Sequence, residues 1–207
     1  MIFTYNKNHV GDVLMVIVGN DNGKSVAVER KGRVARVFLQ DTKKTVAWNI
    51  FDASEVIAIE GNGQITLSDV ELAAFNQEIA KAGFSESLEN PQEPSFVVGE
   101  IVAMEAHPDS DHLNICQVKV AADKEIQIVA GAPNARTGLK TIVALDGAMM
   151  PNGSLIFSGK LRGEDSFGMM CSPRELALPN APQKRGIIEL DDSAIIGEAF
   201  DIKKHWQ

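Results

Sequence analysis

With 207 residues, 44% of them apolar and 23% charged, the chain has the make-up of an ordinary globular protein, with room for one large domain or two small ones. Its net charge of −8 is shared evenly: 9 basic against 13 acidic residues in positions 1–94 and 11 against 15 in positions 95–207 leave −4 in each half. That excludes a nonspecific nucleic-acid binder, which draws its affinity from a broad basic surface, and confines any RNA site to a local patch.

The first residues, Met1 to Lys7, lack a basic flank followed by an apolar stretch, and no apolar run approaches the ~18 residues of a membrane helix. A cytoplasmic protein with no membrane partner is expected. Short alternating or β-branched runs follow at Val13–Val18, Val26–Arg30, Val34–Leu39 and Thr45–Trp48. Gly19-Asn20-Asp21-Asn22-Gly23 and Lys31-Gly32 between them supply the positive φ of tight hairpins, so the spacing predicts an antiparallel meander. Ser68 with Glu71 three residues later forms a capping-box signature, and Leu72, Phe75, Ile79 and Ala82 share one helical face, with Gly83 as the stop. Residues 1–84 therefore read as an α+β domain. The turn formers, acids and two prolines of Ser85 to Pro94 show no apolar period, which places a linker at 85–95.

From residue 96 onward the chain is mainly β. Candidate strands lie at Val97–Glu105, Leu113–Ala121, Glu125–Gly131 and Lys140–Leu145, with shorter ones at Gly168–Ser172 and Gly186–Leu190. Short strands at this spacing with little helix make a sandwich or a barrel, and periodicity does not choose between them.

Chemistry is sparse. His107, His112, Cys116 and Cys171 are metal-ligand types, but no paired close spacing of the zinc kind exists, and no metal or cofactor is expected. The two cysteines, in a chain without a secretion signal, are expected to be reduced. Cys171 lies in an apolar run with nothing to lower a thiol pKa, so a nucleophile there is disfavoured. Gly61-Asn62-Gly63 lacks the ending of a phosphate loop and reads as a turn. Basic residues do gather in the second half, where Arg136 and Lys140 flank one turn, Lys160 and Arg162 form a pair, and Arg174 follows the Cys-Ser run. If the strands close into an OB barrel, loops and one strand face converge on a shallow surface suited to nucleotides.

Four blocks carry a resemblance: His107-Pro108-Asp109-Ser110-Asp111-His112-Leu113, Ile128 to Arg136, Lys160 to Ser172 with Glu175-Leu176, and Gly186 to Leu190. In this order they resemble the tRNA-binding domain at the start of the bacterial phenylalanyl-tRNA synthetase beta chain, and more distantly the C-terminal domains of some methionyl-tRNA synthetases. The chain as a whole is similar to the small standalone proteins of the YtpR type. The resemblance implies an OB-fold β-barrel over residues 96–207 that recognises tRNA shape and catalyses nothing. It assigns RNA contact to the stretch Lys160 to Ser172 and to the loop holding Asn134 and Arg136. Lys160 and Arg162 are then expected on phosphates. Ser166, Ser172 and Asn134 would meet ribose hydroxyls or base edges, and Met169 would offer an apolar contact. An aminoacyl-tRNA synthetase helped in trans and a homodimer are further expected partners.

Two departures matter. His112 stands where the motif often has Lys, and the second half holds only Phe96, Phe157, Phe167, Phe200 and Trp206 as aromatics, so extensive base stacking is not expected. The competing reading is a dimeric interaction or chaperone-like protein using the same OB surface. No acid, base and nucleophile set supports an enzyme. The N-terminal half shows no chemistry above structure.

Overall fold

The computed structural model describes residues 1–206, which fall into two compact units, one of residues 1–92 and one from residue 93 onward. No helix among them is long and apolar enough to cross a membrane.

The first unit is one antiparallel sheet with a short and a long helix. In chain order it comprises β1 (Ile2–Asn6), β2 (Gly11–Ile17), β3 (Val26–Lys31), β4 (Val34–Leu39), β5 (Thr45–Phe51), α1 (Ala53–Val56), β6 (Gly63–Ile65) and α2 (Asp69–Lys81). The sheet order is β3-β4-β5-β2-β1-β6, so only β3 to β5 form the expected meander. β2 instead lies between β5, through Leu14↔Ile50, and β1, through Phe3↔Val16. Leu14 and Val16 are fully buried there, which a central strand provides and an outer position beside β3 would not.

α2 carries both halves of its capping box: Ser68 Oγ accepts from Glu71 N–H, and the Glu71 carboxylate accepts from Ser68 N–H. Phe75 and Ile79, one turn apart, bury against Leu14, Trp48 and Ile50 of the sheet. Gly83 at φ 79 turns the chain out of the helix, and Phe84 then meets Trp48 edge to face at 5.1 Å between ring centres.

The expected linker needs correction. Leu88 is 1% exposed within the first unit's core. The Asn76 side chain holds its backbone on both sides, accepting from Leu88 N–H at 2.7 Å and donating to Leu88 C=O at 3.0 Å. Asn90 Nδ2 donates to Leu67 C=O, and Glu86 pairs with Arg36 at 2.8 Å. Residues 85–90 are thus packed structure, tied down by side chains and not by a periodic apolar face, which is why composition reads them as a linker.

The second unit is built on β7 (Phe96–Ala106), β8 (Asn114–Ala121), β9 (Lys124–Ala130) and β10 (Lys140–Leu145). Two small hairpins follow, β11 (Ala148–Met149) with β12 (Leu155–Ile156), and β13 (Gly159–Leu161) with β14 (Glu164–Ser166); β15 (Gly168–Met170) and α3 (Ile202–His205) complete it. The main sheet runs β15-β10-β7-β8-β9. β7 pairs with β10 through its first half and with β8 through its second, and a bulge at Ile101/Ala103 bends it between them. The far edges come together where Phe167 N–H donates to Gln127 C=O at 2.8 Å and Gln127 Nε2 donates to Asp165 C=O at 2.8 Å. The result is the nearly closed OB-type barrel expected. Gly168 sits at this seam, and any Cβ there would lie 2.8 Å from the Ala144 carbonyl oxygen, so only glycine lets β15 close on β10.

β15 serves two cores. Met170 joins Ile101, Cys116, Val118, Ile128 and Val143 in one cluster, while Cys171 joins Val98, Ile142, Ala144, Leu176 and Ile188 in a second, against which Met169, Phe200 and Trp206 pack. The expected strand at 186–190 is absent as a ladder. That segment is extended but makes a single bridge, Lys140↔Leu190, because the Ile187 N–H and C=O are both taken by a side chain, described next.

Candidate nucleic-acid interface

Asn134 is the side chain that holds Ile187. Its Oδ1 accepts from Ile187 N–H at 2.9 Å, and its Nδ2 donates to Ile187 C=O at 3.0 Å and to Glu189 Oε1 at 2.8 Å. Arg136 closes the same clamp, 2.7 Å from Glu189 Oε2. Arg136 and Asn134 together hold the Glu189 carboxyl below its ordinary pKa against its burial. The loop is therefore fastened to the 186–189 segment by the two residues that sequence comparison places on RNA. Asn134→Ala is expected to cost the second unit about 2–3 kcal/mol, three hydrogen bonds at ~1 kcal/mol each. A lowered urea midpoint checks this, and an unchanged midpoint contradicts the clamp. Because Glu189 has a depressed folded pKa, its share of the clamp is present above its unfolded pKa and is lost as pH falls through the folded value.

Lys160 and Arg162 stand on the exposed β13–β14 hairpin. Arg162 at φ 49 and Gly163 at φ 93 make the two-residue loop between Leu161 and Glu164, both left-handed as a type I′ turn requires. Lys160 is directly opposite Asp165, with Nζ 2.8 Å from Oδ1, and that partner raises its pKa. Arg162 leans towards Asp109 C=O at 3.5 Å, a marginal hydrogen bond. The hairpin rests on buried His107, whose Nδ1 accepts from Asp109 N–H at 3.0 Å; the proton is thereby placed on Nε2, facing Leu161 C=O at 3.4 Å. Ser166 is spent at the barrel seam, accepting from Val129 N–H at 3.2 Å.

Met169 and Ser172 do share one site. They line an open hollow of about 400 Å³ with the end of β9, Arg174, Glu175 and Arg185. Ser172 and Glu175 cap each other, Glu175 Oε2 accepting from Ser172 N–H at 2.8 Å and Ser172 Oγ from Glu175 N–H at 3.3 Å. Arg174 and Arg185 are exposed, and among the described residues neither forms an ion pair, unlike Arg136 and Lys160. A second hollow of about 320 Å³ continues past Arg185 with Lys184 on its wall. Two exposed guanidiniums, a group that binds phosphate well, thus line one concavity. In the sequence Arg174 is one of several scattered basic residues, and the signal for Lys184-Arg185 is a dibasic pair between Pro182 and Gly186 in an acidic chain.

The metal and nucleophile candidates are separate. Cys116 and Cys171 are free, buried thiols in different clusters, and burial pushes them up to about 11 and about 12. No group of three or more His, Cys, Asp or Glu side chains among the described residues is arranged to hold a metal.

Residues 96–199 match a family model described as "Putative tRNA binding domain", and residues 21–91 match a domain of unknown function, DUF4479. The chain is 40% identical over 196 residues to the "Putative tRNA-binding protein YtpR" of Bacillus subtilis, covering 95% of this chain and 97% of that protein. The phenylalanine–tRNA ligase beta subunit of Legionella pneumophila (strain Lens) is 42% identical over 143 residues, 68% of this chain but 17% of that subunit. The corresponding Rhodospirillum rubrum subunit is 50% identical over 103 residues, 49% of this chain and 12% of its own.

Proposed function

The chain belongs to the YtpR family of tRNA-binding proteins, and from that premise we propose that its second unit grips folded tRNA at the hollow beside β15 and catalyses no reaction. The observation that carries this is the pair of exposed guanidiniums, Arg174 and Arg185, that line one concave surface and form no ion pair among the described residues. In a protein of net charge −8, cations already neutralised by Asp165 or Glu189 contribute little to a polyanion, whereas unpaired ones contribute in full. Met169 supplies an apolar wall, and the Ser172 hydroxyl, which lines the same hollow, meets ribose hydroxyls, the groups that distinguish RNA from DNA. Lys160 and Arg162 act as a second, weaker contact at the hairpin tip. The protein works in the cytoplasm, on tRNA that also visits an aminoacyl-tRNA synthetase.

A gel-shift titration with total tRNA at two salt concentrations tests the reading. Few phosphates are engaged, so the slope of log K against log salt is expected to be shallow, about −2 to −4. Absence of binding at low salt, or equal affinity for duplex DNA of the same length, would refute it.

A further inference from the structure

The hollow is too small for a helix and suits one small ligand: its volume of about 400 Å³ falls at the low end for small-molecule pockets,. Its lining is mixed: Met169, Ala130 and Ala132 give it apolar surface, and Arg174 and Arg185 give it positive charge. Methionine sulfur packs well against a flat aromatic ring, and a guanidinium pair holds a phosphate. Glu175 lines the same space with one oxygen committed to Ser172 N–H, which leaves Oε1 to accept from a ligand.

Resting on the tRNA-binding reading above, we propose that this hollow takes a single unstacked nucleotide of the tRNA, its base against Met169 and its phosphate between Arg174 and Arg185. Glu175 makes the pocket selective. A carboxylate accepts from the exocyclic amines of adenine, cytosine and guanine, whereas uracil offers only an N3–H set between two repelling carbonyls. The site therefore adds one base-reading contact to an otherwise shape-reading surface, and it lies at an unpaired position of the RNA, where a base is free to leave the stack.

Mononucleotides test this without tRNA. The full chain is titrated with AMP, CMP, GMP and UMP while its amide NMR signals are followed. Shifts are expected at residues 130–132, 169–175 and 185–186, with the three amine-bearing nucleotides about fivefold tighter than UMP. Glu175→Gln should remove that preference. Met169→Trp, which fills the hollow, should abolish the mononucleotide shifts and weaken tRNA binding at least about tenfold; because Met169 also packs against the second cluster, retained dispersion of the remaining amide signals shows that the chain stays folded. No shifts with any mononucleotide at millimolar concentration overturns the pocket even where tRNA still binds, and equal affinity for all four overturns the role of Glu175. Mononucleotide binding without tRNA binding supports the pocket and sinks the tRNA reading instead, so the two failures are distinct.

Discussion

Arg174→Ala combined with Arg185→Ala is expected to weaken tRNA binding by about two to four decades while leaving the fold intact. Each guanidinium makes a charge-assisted contact of roughly 1.5–3 kcal/mol, and 1.4 kcal/mol is one decade. Both side chains are exposed and, among the described residues, neither forms an ion pair, so melting should shift by no more than ~0.5 kcal/mol allows. Lys160→Ala with Arg162→Ala is the informative comparison, because sequence comparison alone gives that pair the main phosphate role. Lys160 already has Asp165 at 2.8 Å and gains less by exchanging it for a phosphate. About one decade or less is therefore expected. Arg33→Ala with Arg36→Ala serves as the control for the first unit: Arg33 pairs with Glu55 and Glu78, Arg36 with Glu86, and tRNA affinity should not change. If the hairpin pair proves the more damaging, the RNA lies across β13–β14 and the hollow is not its seat.

Leu88→Ala is expected to destabilise the first unit by about 3 kcal/mol, within the 2–5 kcal/mol typical of buried leucine truncation. The side chain is 1% exposed among Trp48, Phe75 and Phe84 in one apolar cluster, and its backbone is held by Asn76, so the site has little freedom to collapse around a cavity. Urea unfolding followed through Trp48 fluorescence reads this unit, since the other tryptophan, Trp206, lies in the second unit and is removed as Trp206→Phe in the background. Two compact units make a single all-or-none transition an unsafe assumption, so the two transitions are fitted separately. Were residues 85–95 a free linker, the substitution would leave the midpoint unmoved.

The sequence makes visible whatever is repeated or paired locally. β3 to β5 are short β-branched runs set off by turn residues, and Ser68 and Glu71 announce α2 three residues apart, so both are legible in order. β1 is not: Ile2 to Asn6 is five residues with no alternation, and it is a strand because β2 on one side and β6 on the other complete its ladder. The hairpin turn Arg162-Gly163 escapes notice because its first residue is neither Asn, Asp nor Gly, yet it holds φ 49. Leu88 is a lone apolar residue among acids, and its burial depends on Asn76 twelve positions earlier. The candidate site fails to show for a related reason. Arg174 and Arg185 are eleven residues apart and line one hollow only once the chain between them has packed over the second cluster, while Asn134, polar and in a loop, shows nothing in the sequence of its three hydrogen bonds to Ile187 and Glu189.

The double duty of β15 bears on where this module can be cut. A barrel excised at Met170, the end of its last strand, would expose Val98, Ile142 and Ala144 on its outer wall. Everything from Pro173 onward is thus the lid of a second oil-filled compartment, and its latch lies beyond residue 199, where Phe200 packs and Trp206 Nε1 donates to Pro179 C=O at 2.7 Å. A tRNA-binding barrel transplanted onto another protein should therefore carry its tail through Trp206, since a graft ending at the strand would trade solubility for a sticky seam.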